Sequence, residues 1–365
     1  MVLAHDSETA VLVARHSDRL FSDLATPALL AAADSGEWPA QAWSQVADSG
    51  FLDVLVPADR GGASLAQRDA LALARTTAYH ALPLPIGETV LARGLWAMAG
   101  GALDETALPW TLASADGGSD GVQLEKHGGS LHAQGKLARV AWGRQAQSVI
   151  AAAQGPHGRP CLVKLVPDRA SMRLSHSIAN EPRDTLAIET RIDADCVQWL
   201  EDDGAMPLTR LAGALLRAHQ MVGAMQRCVE MSLAYAAERS QFGSPIGKFP
   251  AVQSMLVDMA GELTAAMSAA ELAATRWDSA SWPALELLVA IAKSRTGEAA
   301  GKVAAACHQV HGAMGFTQEH TLHHFSRRLW SWRDEFGGES AWTRRIGQVT
   351  CANGGAALWP TITAL

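Results

Sequence analysis

Tyr235-Ala236-Ala237-Glu238-Arg239-Ser240-Gln241-Phe242-Gly243-Ser244-Pro245-Ile246-Gly247 closes a long apolar-periodic stretch, and Gln309-Val310-His311-Gly312-Ala313-Met314-Gly315-Phe316-Thr317 follows about seventy residues later. The first string ends a helix and enters a Gly-Ser-Pro turn. Arg239 and Gln241 there offer a guanidinium fork and amide donors, a combination suited to an anion. The second string ends another helix on small residues, which let a backbone approach a partner closely. Taken singly, Arg239 could simply cap its helix, and Gly312 and Gly315 could simply ease helix packing. The pair at this spacing carries more weight than either member.

Outward from these strings the chain has three textures. Residues 6–103 are Ala- and Leu-rich with helical spacing, as in Val11, Leu12, Arg15, Leu20 and Leu24. Pro39 suits a helix start, and Pro57 with Gly61-Gly62 suits a turn. From 106 to 200, short apolar runs such as Val149–Ala151, Cys161–Val166 and Leu186–Thr190 are separated by Gly and Pro, which predicts strands. Long helices are expected again over 208–239, 251–277 and 283–311. Their stripes run Leu211, Leu215, Ala218, Val222, Met225, Val229, Leu233 and then Val252, Met255, Leu256, Met259, Leu263, Met267. The order helices, strands, helices is α+β rather than alternating βαβ. Expected domains are 1–105 (helical), 106–205 (β) and 206–365 (helical bundle).

Composition narrows the functional classes. The 365 residues are 48% hydrophobic, enough for a large core, and the net charge of −7 has no basic stripe to attract nucleic acid. Five scattered cysteines without a C-x-x-C pair argue against a disulfide framework or zinc site. No signal peptide is apparent, and no apolar run nears the ~20 residues that span a bilayer. A cytoplasmic protein without membrane contact is expected. G-x-G-x-x-G after a strand, the P-loop and G-x-S-x-G are all absent, which removes the usual support for Rossmann, nucleotide triphosphate and serine hydrolase readings.

The paired strings resemble the C-terminal domain of acyl-CoA dehydrogenases, whose pattern is R-x-Q-F-G followed by Q-x-x-G-G-x-G-F. Weaker likenesses extend along the chain: Leu55-Val56-Pro57 with Gly61-Gly62, Gly117-Gly118-Ser119-Asp120, and Gly135-Lys136 leading to Ala146. The resemblance implies FAD as cofactor. It places Arg239, Gln241 and Phe242 at the FAD diphosphate of a neighbouring subunit, and Gln309, Gly312 and Ala313 at the adenosine–diphosphate part. Ser119, Val140 and Ala141 take the flavin-side positions of the β domain. The sequence departs from the family there, reading Ala113-Ser114-Ala115 and Arg139-Val140-Ala141 in place of the T-E-P and W-I-T strings, and Pro250 in place of a Gln. Main-chain contacts tolerate such changes, but side-chain contacts from Thr and Trp do not.

The implied reaction is α,β-desaturation of an acyl-CoA thioester, with electrons passed to an electron-transfer flavoprotein or a similar acceptor. A carboxylate must remove the α-proton. A gap-free count from Gln309 to the family's Y-E-G-T position lands on Phe336, and the alternative position on the preceding long helix lands on Gly213. The nearest acids are Glu335, one residue out, and Glu339, three out. Either a one-residue offset brings Glu335 into the pocket, or the chain is a subunit whose own pocket is altered. The string Gly315-Phe316-Thr317-Gln318-Glu319-His320-Thr321-Leu322-His323-His324 resembles the branch that works as two unlike chains on bulky acyl-CoAs such as sterol side chains. A homo-oligomer (dimer or tetramer) or a heterotetramer with a homologous chain is therefore expected, and a flavin oxidase or monooxygenase on the same fold is the further alternative. His320, His323 and His324 share a helix face but lack a placed fourth ligand, so no metal is expected.

Overall fold

The computed structural model describes residues 8–104, 108–114, 121–201 and 207–364. Five helices come first: α1 (Glu8–Leu24), α2 (Pro27–Asp34), α3 (Ala40–Asp48), α4 (Gln67–Tyr79) and α5 (Ile86–Met98). Proline and glycine punctuate them as the sequence predicts. Pro39 immediately precedes α3, and Gly61, at φ +87°, closes the turn after Pro57 in a conformation that favours glycine. The buried face of α1 is Ala10, Ser17, Phe21 and Leu24 rather than Val11 and Leu12, which are exposed.

Eight strands form one sheet: β1 (Trp110–Ala113), β2 (Gly121–His127), β3 (Ser130–Ala141), β4 (Ser148–Gln154), β5 (Pro160–Leu165), β6 (Met172–Arg173), β7 (Arg183–Ile192) and β8 (Val197–Trp199). Their order is β6-β7-β3-β2-β4-β5-β8, with β1 added parallel to β4. The three apolar runs singled out above are β4, β5 and β7. Alternation sends Val122 and Leu124 of β2 inward, and they join Val149, Ala151, Val163, Leu186 and Ile188 in one core. Helix α5 is buried along nearly its whole length and packs on β1, where the Thr89 hydroxyl donates to the Trp110 carbonyl at 2.8 Å.

The rest is helical: α6 (Leu208–Glu238), the short hairpin β9 (Ser240–Gln241) and β10 (Ser244–Pro245), α7 (Pro250–Thr275), α8 (Trp282–His311), α9 (Leu322–Asp334), α10 (Glu339–Asn353) and α11 (Gly355–Ala364). Helix α8 packs against α7, α9 and α10. Two predicted stripes shift. On α6 every member of the predicted stripe from Leu211 to Val229 is buried, but Leu233 is exposed and Ser232, turned towards Cys307 of α8, and Ala236 are buried in its stead. On α7 only Met259 of the predicted stripe is fully buried. Its other fully buried residues are Ala266, Ala270, Ala273 and Ala274, small residues that let neighbouring helices come close. By compactness the chain divides into two units, 1–74 with 82–216 and 75–81 with 217–365.

Candidate functional site

Helix α6 ends at Glu238, and the Arg239 carbonyl accepts from the Ile246 amide at 2.8 Å, which closes the hairpin. Its two central residues, Phe242 (φ +51°) and Gly243 (φ +84°), both lie in the left-handed region, the geometry of a type I′ turn. Glycine adopts it freely. Phenylalanine does not, yet its ring is 94% exposed, so no buried contact offsets the strain. Among the described residues the Arg239 guanidinium and the Gln241 and Gln309 amides make no side-chain hydrogen bond or ion pair, and all three residues are exposed.

The second string meets the first. Ala236, Ile246 and Val310 form a small core, ringed by Tyr235, Phe249, Val252, Met255 and Leu256. The Tyr235 ring stacks on His311 with centroids 4.6 Å apart. Helix α8 stops at Gly312 (φ +57°), which like Ala313 is exposed. A side chain at Gly315 would press within 3.0 Å of His311 Cβ and 3.2 Å of Leu322 Cδ2, a tightness that accounts for glycine there. Beneath lies a group the sequence reading missed. Ser232 donates to Cys307 Sγ at 3.1 Å, and His311 Nδ1 lies 2.8 Å from the Cys307 carbonyl and 3.8 Å from its sulfur. Burial alone would lower the His311 pKa, but the Cys307 contacts outweigh it and raise it. Only the i, i+4 spacing of Cys307 and His311 could have signalled this pairing.

The carboxylate region is organised differently. Helix α9 ends at Asp334, Phe336 (φ +55°) and Gly337 (φ +98°) reverse the chain, and α10 starts at Glu339. Glu335 Oε2 accepts from Arg217 Nε at 2.7 Å, and Oε1 accepts from Ser331 at 3.1 Å. Arg217 is fully buried, with its guanidinium 5.9 Å from the Trp332 ring and 5.8 Å from that of Phe336. Lys293 donates to the carbonyls of Arg333 (2.6 Å) and Gly337 (3.0 Å), and burial drives its pKa down to about 7 against the pull of Glu335. Glu339 forms a two-point pair with Arg333 at 2.7 and 2.8 Å. Both candidate bases are thus held by arginines. Phe336 itself offers only its main-chain carbonyl, which accepts from Trp342 Nε1, and Gly213 is a buried helix position. Arg217 and Lys293 were the residues to notice in the sequence: Arg217 follows Leu215-Leu216, and Lys293 follows the apolar run 287–292.

Val140 and Ala141 close β3 after a register shift at 138–139. Both are buried, so only their main-chain groups could serve a ligand. Arg139 (φ +53°) and Trp142 (φ +57°) flank them in left-handed conformation. Ser119 and Ala115 lie outside the described residues. The histidine cluster is tied up locally, His323 Nδ1 facing the His320 carbonyl at 2.8 Å and His320 Nδ1 accepting from the Leu322 amide at 3.2 Å.

Residues 210–347 match the family model for the acyl-CoA dehydrogenase C-terminal domain. Acyl-CoA dehydrogenase FadE34 of Mycobacterium tuberculosis is 27% identical over 345 residues, covering 87% of this chain and 43% of that protein. The chain spans less than half the length of the first curated relatives it matches. Among solved structures, a Tcur3481-Tcur3483 steroid ACAD variant matches with TM-score 0.85 and 23% identity over 96% of this chain and 99% of that one. The ChsE4-ChsE5 complex from Mycobacterium tuberculosis matches with TM-score 0.82 and 21% identity over 94% and 97%. At these identities the likeness is one of fold, and the α+β architecture read from the sequence is that fold.

Proposed function

We propose that this chain, a relative of the acyl-CoA dehydrogenases with their fold and their C-terminal domain, is a subunit of a FAD-dependent enzyme that desaturates an acyl-CoA thioester between its α and β carbons. The observation that carries this reading is the convergence of the hairpin and the α8 terminus on one small core, with Arg239, Gln241 and Gln309 exposed and uncommitted among the described residues. On a chain of net charge −7, an unpaired arginine beside two free amides fits a diphosphate. Arg239, Gln241, Phe242, Gln309, Gly312 and Ala313 would hold the cofactor's diphosphate and adenosine. Val140 and Ala141 would contribute main-chain groups on the flavin side, with Ser119 a further candidate. FAD, when bound, supplies acceptance of the β-hydride. The chain's own work is to orient the thioester, exclude water and present a base, for which Glu335 and then Glu339 are the candidates in this sequence.

The two arginine pairs favour a second reading, in which a homologous partner chain brings the base and this chain supports the flavin and the assembly. A carboxylate that accepts a hydrogen bond from a buried guanidinium is committed as its counter-ion. The neighbours' names support this reading, since one is a complex of two named chains and the other a steroid enzyme written as a pair. A heterotetramer acting on a bulky, sterol-like acyl-CoA is the form it takes, and a homo-oligomer is the form of the first reading. The division into 1–105, 106–205 and 206–365, the cytoplasmic setting and an electron-transfer flavoprotein as acceptor belong to the same proposal.

The test is the visible spectrum of the chain, purified alone and with a co-expressed homologue, followed by anaerobic titration with acyl-CoAs. Flavin absorbance that bleaches only in the co-expressed form supports the second reading. Bleaching by the lone chain, lost in Glu335→Gln, supports the first. Folded protein that is colourless in both preparations overturns the flavoenzyme assignment, and oxygen consumption during turnover would redirect it to an oxidase or monooxygenase.

A further inference from the structure

Arg217 is a buried cation with no side-chain exposure, on a stretch of α6 otherwise built of Leu215, Leu216 and Ala218. Its Nε donates to Glu335 and its Nη1 to Gln220, while its plane is flanked by Trp332 and Phe336. The opposite carboxylate oxygen is filled by Ser331. Lys293 ties the Arg333 and Gly337 carbonyls together, and so fixes the turn on which Glu335 sits. Arg217 and Ser331 both donate to the carboxylate and stabilise its charge, and withdrawing it from the buried guanidinium would leave that cation without its counter-ion.

We infer that Arg217 is a latch on this chain's own acid: it holds Glu335 as an ion-pair partner and so removes it from proton abstraction. Arg217 is a positioning residue in this sense, and Lys293 sets the turn it acts on. The inference rests on the second reading above and supplies its physical cause. It also predicts that the acid is silenced rather than lost, so that releasing the latch restores base chemistry.

The step to be measured is hydrogen exchange at the α-carbon of an acyl-CoA. The carboxylate takes the α-proton as the Cα–H bond breaks, leaving the electron pair in the thioester enolate. In D2O a deuteron then forms the Cα–D bond, and nothing is oxidised or reduced. The probes are butyryl-CoA and cyclohexanecarboxyl-CoA, incubated with the full chain as purified and read by mass spectrometry. Wild type is expected to give no exchange above the protein-free control. Arg217→Met should raise the rate at least tenfold, Arg217→Lys should keep it near wild type, and Arg217→Met with Glu335→Gln should abolish the gain. Arg217→Gln serves if the methionine variant does not fold. Glu335-dependent exchange by wild type overturns the latch, and so does a folded, probe-binding Arg217→Met or Arg217→Gln that stays silent. Failure of either probe to raise the thermal midpoint of any variant is a different result, which counts against the acyl-CoA reading itself.

Discussion

Helix α6 carries two clusters of polar groups, roughly 33 Å apart along its axis at 1.5 Å per residue. At its C-terminal end Arg239 and its neighbouring amides are exposed and have no partner among the described residues. Near its start Arg217 is buried, donates to Glu335 and Gln220, and lies against two aromatic rings. The same residue type therefore has opposite meanings. A solvated guanidinium without a partner is held ready for an anion from outside. A desolvated one must have its anion built in, because an unpaired buried charge costs several kcal/mol. Exposure, and not the presence of arginine, separates a binding edge from an internal brace.

The brace should break most heavily. Arg217→Ala leaves the Glu335 carboxylate buried without its counter-charge, and we expect a loss of about 3–5 kcal/mol, read as a fall in the urea midpoint. Pairing it with Glu335→Leu should recover most of that loss. If the double variant is as unstable as the single one, packing on Trp332 and Phe336 is what Arg217 provides, and the ion pair is secondary. The binding edge should respond in the other currency. Arg239→Ala should leave the urea midpoint within about 0.5 kcal/mol of wild type, as for surface sites generally. It should weaken FAD retention by about tenfold to a hundredfold, the worth of one hydrogen bond to a charged group. An unchanged ratio of flavin to protein absorbance would remove Arg239 from the proposed diphosphate site.

How much of this contrast was legible in the sequence follows from where each partner lies. The hairpin could be read because its determinants are local: Gly243 permits φ > 0, Pro245 limits the second strand, and the register Gln241 to Ser244 follows from the two-residue turn. The apolar runs of β4, β5 and β7 could be read for the same reason. The pairing of Glu335 could not, since Arg217 lies 118 positions earlier and nothing local couples them. Nor could the burial of α7 on its alanines, because periodicity marks large apolar residues, whereas close helix approach selects small ones. The carboxylates were found from their spacing to the second motif. Whether each was free or committed depended on tertiary contacts that spacing does not encode.

Lys293 tests the buried side of the comparison through pH. Its ammonium is taken wholly out of water, and its pKa falls to about 7 from the ordinary 10.5 because burial disfavours the charge. Between those values the unfolded chain carries the proton and the folded chain does not. Stability should therefore rise with pH from about 7 upward, by at most about 1.4 kcal/mol per unit, and level off above 10.5. Urea midpoints at pH 7 and pH 9 measure this slope. Lys293→Met should flatten it, and a slope that survives the substitution would mean that Lys293 stays protonated on the Arg333 and Gly337 carbonyls.

Glu339 should give the smallest effect. Its pair with Arg333 has two well-formed hydrogen bonds, but the side chains are 27% and 33% exposed, so water and salt share the interaction. Pairs of this kind contribute about 0.2–1 kcal/mol. Glu339→Gln keeps the shape over Gly297, where a β-carbon would come within 2.7 Å of the Glu339 side chain, and removes only the charge. The expected loss is below about 1 kcal/mol and should shrink further in high salt, because a half-solvated pair is screened and a buried one is not. A loss as large as that of Arg217→Ala, insensitive to salt, would place Glu339 with the brace. The boundary between ionised groups that hold the fold and those left for ligands would then lie further out in α10.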